Sequence, residues 1–232
     1  MAHRETKRPL VSVVMALHND ADTAVRAIES VLNQSFEDLE LVIADCASTD
    51  RTPSICERFH DRDIRVEYIH LDTDNMAVGT HTALCAVRGS YVLMLRPCDW
   101  LGNNLLHELM AFIRANDLQL AIPAQSFDTY TGRNHERSSS VTTFNTMTWE
   151  SAADFHQAVG ELLMLGVLDD PFGMAVDAEI MRSSVLARMS EKPLDGVIAC
   201  LERVTHAGVL AGPCYHVTKN ASVALSFDPD RY

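Results

Sequence analysis

The sequence predicts an α/β domain with a mainly parallel central sheet and helices on both faces. Three observations carry this. Leu10–Leu17 (LVSVVMAL), Leu41–Ala44 (LVIA) and Ser90–Leu95 (SYVLML) are short, continuous apolar runs of the kind found in strands buried on both faces. Segments of helical period lie between them, the first placing Ala24, Ile28, Val31 and Leu32 on one side. The runs end in polar clusters: His18-Asn19-Asp20, Asp45 with Ser48-Thr49-Asp50, and Arg96 to Asp99. In open α/β sheets the carboxyl ends of the strands are where ligands bind.

The elements follow in order. Strand 10–17 leads to a helix over 21–33, with Asp20 or Asp22 as its cap. The second strand stops at Asp45, and Thr52-Pro53 opens a helix to about 59. Residues 64–70 alternate and form a third strand, and 76–87 a helix that Gly89 ends in a left-handed cap. The fourth strand is 90–95. Asn103 or Asn104 caps a helix to 116, and 118–122 is a fifth strand. Strand and helix thus alternate through the first half. Residues 123–150, rich in Ser and Thr, read as a long excursion with one hairpin. Helix 149–165, a short strand at 172–176, helices near 185–186 and over 194–206, and a strand over 208–216 complete the chain. Trp100 and most methionines fall in apolar surroundings and read as core. No repeat or linker divides the 232 residues, so one domain is expected.

Composition narrows the partners. A net charge of −13 argues against nucleic acid and anionic membranes, which attract basic surfaces. No apolar run approaches the ~20 residues of a membrane helix, and no apolar segment follows the basic start. Six cysteines without C-x-x-C spacing suit reduced thiols and a cytoplasmic protein.

Four segments together resemble the family 2 glycosyltransferases, whose fold is GT-A. VSVVMALHND (11–20) is similar to the family's VSVIIPxYNE. SVLNQSFEDLELVIADCASTD (30–50) is similar to SVLxQTxxDxEIIVVDDGSTD and is the specific part. VRGSYVLMLRPCDWL (87–101) is similar to AxGEYIxFLDSDDxL, and CYHVTKNASVA (214–224) to the closing strand and tail. The resemblance implies a nucleotide-diphosphate sugar over the first strands, a metal on an Asp-x-Asp motif bridging the diphosphate, and a carboxylate base that deprotonates an acceptor with inversion. It further implies a nucleotide-sugar-binding half (1–122) and an acceptor-side half (123–232). Carried onto this chain, the binding positions are Ala16, His18, Asn19, Asp45, Cys46, Arg96, Cys98, Asp99, His216 and Lys219. The base falls on Asp195, at the start of a late helix, with Asp169-Asp170 as an alternative.

The departures are informative. The Asp-Asp pair is Asp45-Cys46, the Asp-Ser-Asp is Arg96-Pro97-Cys98, and the family's Ala-Arg-Asn aligns with Gly79-Thr80-His81. Magnesium and manganese want hard oxygen ligands, so no metal cofactor is expected, and Mg or Mn is disfavoured. Either Arg96 replaces the metal as a fixed cation, binding diphosphate oxygens, or the site has decayed. In the second case the chain is an inactive relative that binds a saccharide or a partner protein. In the first, its partners are a nucleotide sugar and a saccharide or lipid-linked acceptor.

Overall fold

The computed structural model describes residues 8–131, 136–142, 144–164, 167–168, 171–188 and 198–219, so Asp169, Asp170 and Asp195 lie outside the described residues. Strands β1 (Val11–Leu17), β2 (Leu39–Cys46), β3 (Val66–Leu71) and β4 (Tyr91–Met94) alternate with helices α1 (Ala24–Leu32), α2 (Thr52–Arg62) and α3 (Met76–Ala86). The four strands are parallel, in the order β3-β2-β1-β4. Then come β5 (Trp100–Leu101), α4 (Leu105–Asn116), β6 (Leu120–Thr131), β7 (Glu136–Val141), β8 (Met147–Trp149), α5 (Ala152–Met164), β9 (Ala175–Asp177), α6 (Ala178–Arg188) and β10 (Ala207–Lys219).

The sheet continues β4-β9-β6-β10-β5. Here it becomes mixed, because β9 enters between β4 and β6 antiparallel to both, while β6 and β10 are parallel. Side-chain alternation splits the interior into two layers. Val13, Met15 and Leu17 of β1 pack with α1, α2 and α4 on one face, whereas Val14 packs with α3, α5 and α6 on the other. The helices on both faces follow directly from strands that are apolar on both sides.

Several local expectations change. The excursion after residue 122 is largely a continuation of β6, paired with β7 as a hairpin. Pro123 is tolerated inside β6 because the ladder to β10 shifts register between Leu210 and Cys214, beside it. Strand β5 has two residues, too few for a period to show. Neither Asp20 nor Asp22 caps α1: the N-cap is Thr23 without a side-chain bond, and the Asp20 carboxylate accepts the His18 N–H at 2.9 Å. Gly89 is not a left-handed cap. Helix α3 ends in extended Val87, and a Cβ at Gly89 would stand 2.6 Å from Ser12 Oγ and 2.7 Å from Ser12 N. That close approach serves a lock at the amino edge, where Ser12 accepts from Gly89 N and donates to buried Glu40, which also takes the Arg88 guanidinium at 2.7 Å. Met94, Met110, Met174 and Met181 are core, but Met164 is 89% exposed. No helix among the described residues is long and apolar enough to cross a membrane.

Candidate active site

The carboxyl edge brings most of the expected residues together in two neighbouring corners. At the first, the loops after β1 and β2 are stapled to each other. Asn19 adopts a left-handed backbone (φ 58°), which its short amide side chain tolerates better than most residues. Its Oδ1 accepts the Thr49 N–H at 2.8 Å and the Asp50 N–H at 3.3 Å, while its own N–H donates to Ser48 Oγ at 2.9 Å. Asp50 accepts from Thr52 N at the start of α2 and from Ala21 N ahead of α1. The polar Ser48–Asp50 segment therefore fixes both loops, besides opening a helix. His18 Nδ1 lies 2.6 Å from the Cys46 carbonyl, so this ring nitrogen carries the proton.

Asp45 is fully buried and accepts from His70 Nδ1 at 2.9 Å, Tyr68 hydroxyl at 3.2 Å and Ser48 N at 3.3 Å. Burial, then the Asp45 charge and hydrogen bond, push the Tyr68 phenol well up. Cys46 points to the other face and is also fully buried. Its lid is α3: a Cβ on Gly79 would overlap Cys46 Sγ and touch Ala16 Cβ at 3.5 Å. Ala16 is itself 9% exposed. Ala16 and Cys46 are thus walls beneath α3, not open ligand contacts. Gly79→Ala is expected to lose roughly 1–3 kcal/mol of stability by overpacking, and the double variant Gly79→Ala/Cys46→Ala to recover part of it. Denaturant unfolding of both measures this; equal loss in the double variant would remove the Cys46 contact as the cause.

The second corner is the end of β4. Arg96 Nε donates to Asp99 Oδ2 at 2.7 Å, and its guanidinium lies 5.1 Å from the Phe172 ring centre. Asp99 is fully buried. Tyr215 hydroxyl donates to it at 2.7 Å, Thr218 N at 2.8 Å and Cys98 Sγ at 3.6 Å. Burial, then the Asp99 charge, push the Cys98 thiol up to about 11, so it is protonated at neutral pH. A guanidinium, a protonated thiol and a carboxylate already engaged by three strong donors do not fit a hard divalent cation. Among the described residues no cluster of three or more His, Cys, Asp or Glu is placed to hold a metal.

The remaining positions lie elsewhere. His216 belongs to a cluster on β10 with Asp128, Trp100 and Arg137, and exposed Lys219 sets Nζ over the Phe127 ring at 4.3 Å. Neither joins the Arg96 corner. Sequence reasoning missed Tyr215 and Arg26 as parts of the site. Arg26 on α1 ties the corner to the second half, donating to the Cys98 carbonyl at 2.6 Å, Thr218 Oγ1 at 2.9 Å and Tyr130 hydroxyl at 2.9 Å. Arg26 lies just ahead of the 30–50 segment and nothing in the sequence marks it; the signal for Tyr215 was its place beside His216 in an otherwise apolar strand.

Comparison with known proteins agrees with this architecture. The sequence profile described as Glycosyl transferase family 2 matches residues 12–174, from β1 to the residue before β9. The glycosyltransferase GlyG of Streptococcus pneumoniae is 25% identical over 114 residues, 49% of this chain and 38% of GlyG. The succinoglycan biosynthesis protein ExoO of Rhizobium meliloti is 35% identical over 117 residues, 50% of this chain and 33% of ExoO. The chain thus spans between a third and two fifths of the length of these relatives. The crystal structure of S. aureus TarS 1-349 in complex with UDP-GlcNAc superposes with a TM-score of 0.72 at 17% identity, covering 94% of this chain and 61% of that one. That likeness establishes a shared GT-A fold. With the profile spanning the parallel half and the elements from β5 to α5, the chain belongs to the family 2 glycosyltransferases.

Proposed function

We propose that the chain transfers a sugar from a nucleotide-diphosphate donor to a saccharide or lipid-linked acceptor, in polysaccharide assembly, without the family's metal. Residues 1–122 bind the donor in this reading, and 123–232 face the acceptor. The observation that carries it is Arg96, a permanent cation, 31% exposed, at the end of β4. A buried carboxylate anchors its Nε, and Tyr215 anchors that carboxylate in turn. A cation so held stabilises the negative charge of a departing diphosphate without reorganising. The TarS complex with UDP-GlcNAc supports a nucleotide sugar as the ligand of this fold, and ExoO supports polysaccharide assembly. Asp195 remains the family-derived candidate for the base.

A second reading has its own observation. Arg96 pairs with Asp99, the arrangement expected if it has turned aside in a decayed site, and Cys46 is sealed under α3. The protein is then a non-catalytic relative that binds a saccharide or a partner protein. Calorimetry with UDP- and GDP-sugars, with and without manganese, decides between them. The first reading expects metal-independent binding. Binding only with manganese contradicts the role given to Arg96, and none at all favours the second reading.

A further inference from the structure

Helix α3 has an outer face unlike those of its neighbours. The exposed faces of α2 and α4 carry charge, with Glu57, Arg58 and Asp61 on one and Glu108 and Arg114 on the other. From Met76 to Ala86, α3 carries none. Its inner side is spent on the sheet, where Gly79 lies against Cys46, and Ala83 and Leu84 are buried. Its outer side is open: Val78 is 43% exposed, and His81 and Cys85 are exposed as well. Val78, His81 and Cys85 follow one another at spacings of three and four, so they form one stripe along the helix. A helix without a charged face is ordinarily covered on every side.

The same stripe holds two metal-ligating groups. His81 and Cys85 are one turn apart, and Cys85 Sγ lies 3.8 Å from His81 Nδ1. A tetrahedral zinc ion takes sulfur at ~2.3 Å and imidazole nitrogen at ~2.0 Å, so two such ligands on it stand about 3.5 Å apart. The two atoms are therefore already close to the edge of a zinc tetrahedron. Thiolate and imidazole are ligands for zinc, whereas magnesium and manganese prefer oxygen. One chain offers only half of a four-ligand site, since among the described residues no third His, Cys, Asp or Glu joins this pair. The pair stands apart from the Arg96 corner: α3 runs from the carboxyl edge back to the amino edge, and Cys85 lies one turn before Arg88 of the Glu40 lock.

We propose that His81 and Cys85 are half of a tetrahedral site for a zinc-class cation, and that a second copy of this chain, laid α3 against α3 about a two-fold axis, supplies the other half. The axis brings each pair to its own copy, giving Cys2His2 coordination without any further residue. Charge favours a copy as the occupant. At −13 per chain, two copies repel over most of their surface, and the uncharged face of α3 is where they approach at least cost. On binding, each Cys85 releases its thiol proton to solvent, and each His81 offers the lone pair of Nδ1 with its proton on Nε2. Two thiolates then balance one divalent cation, so the joint adds no net charge. Val78, on the same stripe, loses exposed apolar surface in the contact.

The test adds zinc to the reduced protein, reading stoichiometry by calorimetry and mass by sedimentation. One zinc per two chains, with a monomer-to-dimer shift that a chelator reverses, is the expected result. A supporting partner of a metal ligand is worth 10–100-fold in affinity, so loss of a ligand itself, in His81→Ala or Cys85→Ser, is expected to weaken zinc binding at least about 100-fold and to abolish the dimer. Both side chains are exposed, so the metal-free variants should melt with the wild type. Cobalt(II) reads the wild type directly, through the intense visible bands of a tetrahedral ion and a thiolate charge-transfer band in the near ultraviolet. A zinc-loaded chain that stays monomeric, or a dimer that persists after chelation, overturns the shared site. Unchanged zinc affinity in either variant, or the weak spectrum of octahedral cobalt, overturns the ligand pair. The site is independent of the transferase reading, which the nucleotide-sugar calorimetry tests separately.

Discussion

Arg96→Glu is expected to abolish nucleotide-sugar binding. Against the family's Asp-x-Asp, the pair Arg96 and Cys98 makes the end of β4 less negative by about three units, counting Asp as −1, Arg as +1 and a protonated Cys as neutral. A diphosphate binds such a corner through fixed donors and repels its reversal. The substitution also places a carboxylate beside buried Asp99, now without its ion-pair partner. Arg96→Gln separates the two effects: it removes the cation without adding an acid, so its fold suffers less while the diphosphate still loses its partner. Calorimetry read beside thermal melts of both variants is the measurement. Unchanged donor affinity in a folded Arg96→Glu protein would end the idea that this arginine replaces a metal.

Asp99→Ala should be the most destabilising single change at the site, by about 3–5 kcal/mol. Its carboxylate lies at the joint between β4, β5 and β10 and has no solvent exposure. Removing it leaves the Tyr215 hydroxyl and the Thr218 N–H buried without this acceptor and takes the ion-pair partner from Arg96 Nε. Tyr215 is fully buried, and burial, the largest cause of its raised phenol pKa, persists without Asp99, so it does not ionise in compensation. For a domain of this size the melting temperature should fall on the order of 10 °C. Tyr215→Phe, which removes one donor and no charge, should cost only about 1–2 kcal/mol. A melt showing Asp99→Ala no worse than Tyr215→Phe would mean that the carboxylate is not the joint described.

How much was legible can be judged element by element. Strands β1, β2 and β4 were readable because burial on both faces demands unbroken apolar runs, and the helices between them because a single apolar stripe repeats at their period. Strand β5 was not: two residues carry no period, and Trp100-Leu101 becomes a strand only by pairing with Tyr215 and His216, more than a hundred residues away. Strand β6 was expected to end at residue 122, where a polar Ser- and Thr-rich segment begins; instead it runs on, and a register shift in its neighbour accommodates Pro123 inside it. The left-handed cap expected at Gly89 failed because a glycine can be required by space as well as by torsion, and the crowding comes from Ser12.

The site divides along the same line. Which groups stand at the ends of β1, β2 and β4 is legible from neighbouring residues alone, because strand ends are local: His18, Asn19, Asp45, Cys46, Arg96 and Asp99 all lie where such a reading puts them. The residue types at 96–99, Arg-Pro-Cys-Asp, are read directly as well, with Asp99 the one carboxylate among them. Which of these groups are open and which are spent depends on how the folded elements meet. Cys46 is sealed because α3 lies on it, Asp99 is spent on Arg96, Tyr215 and Thr218, and His216 is joined to Asp128 instead of to the Arg96 corner. Apart from the Arg96–Asp99 pair, which is three positions apart, these contacts join residues 33 to 119 positions apart. Hydrogen bonding and burial at such separations depend on how the sheet closes, and no local pattern records that.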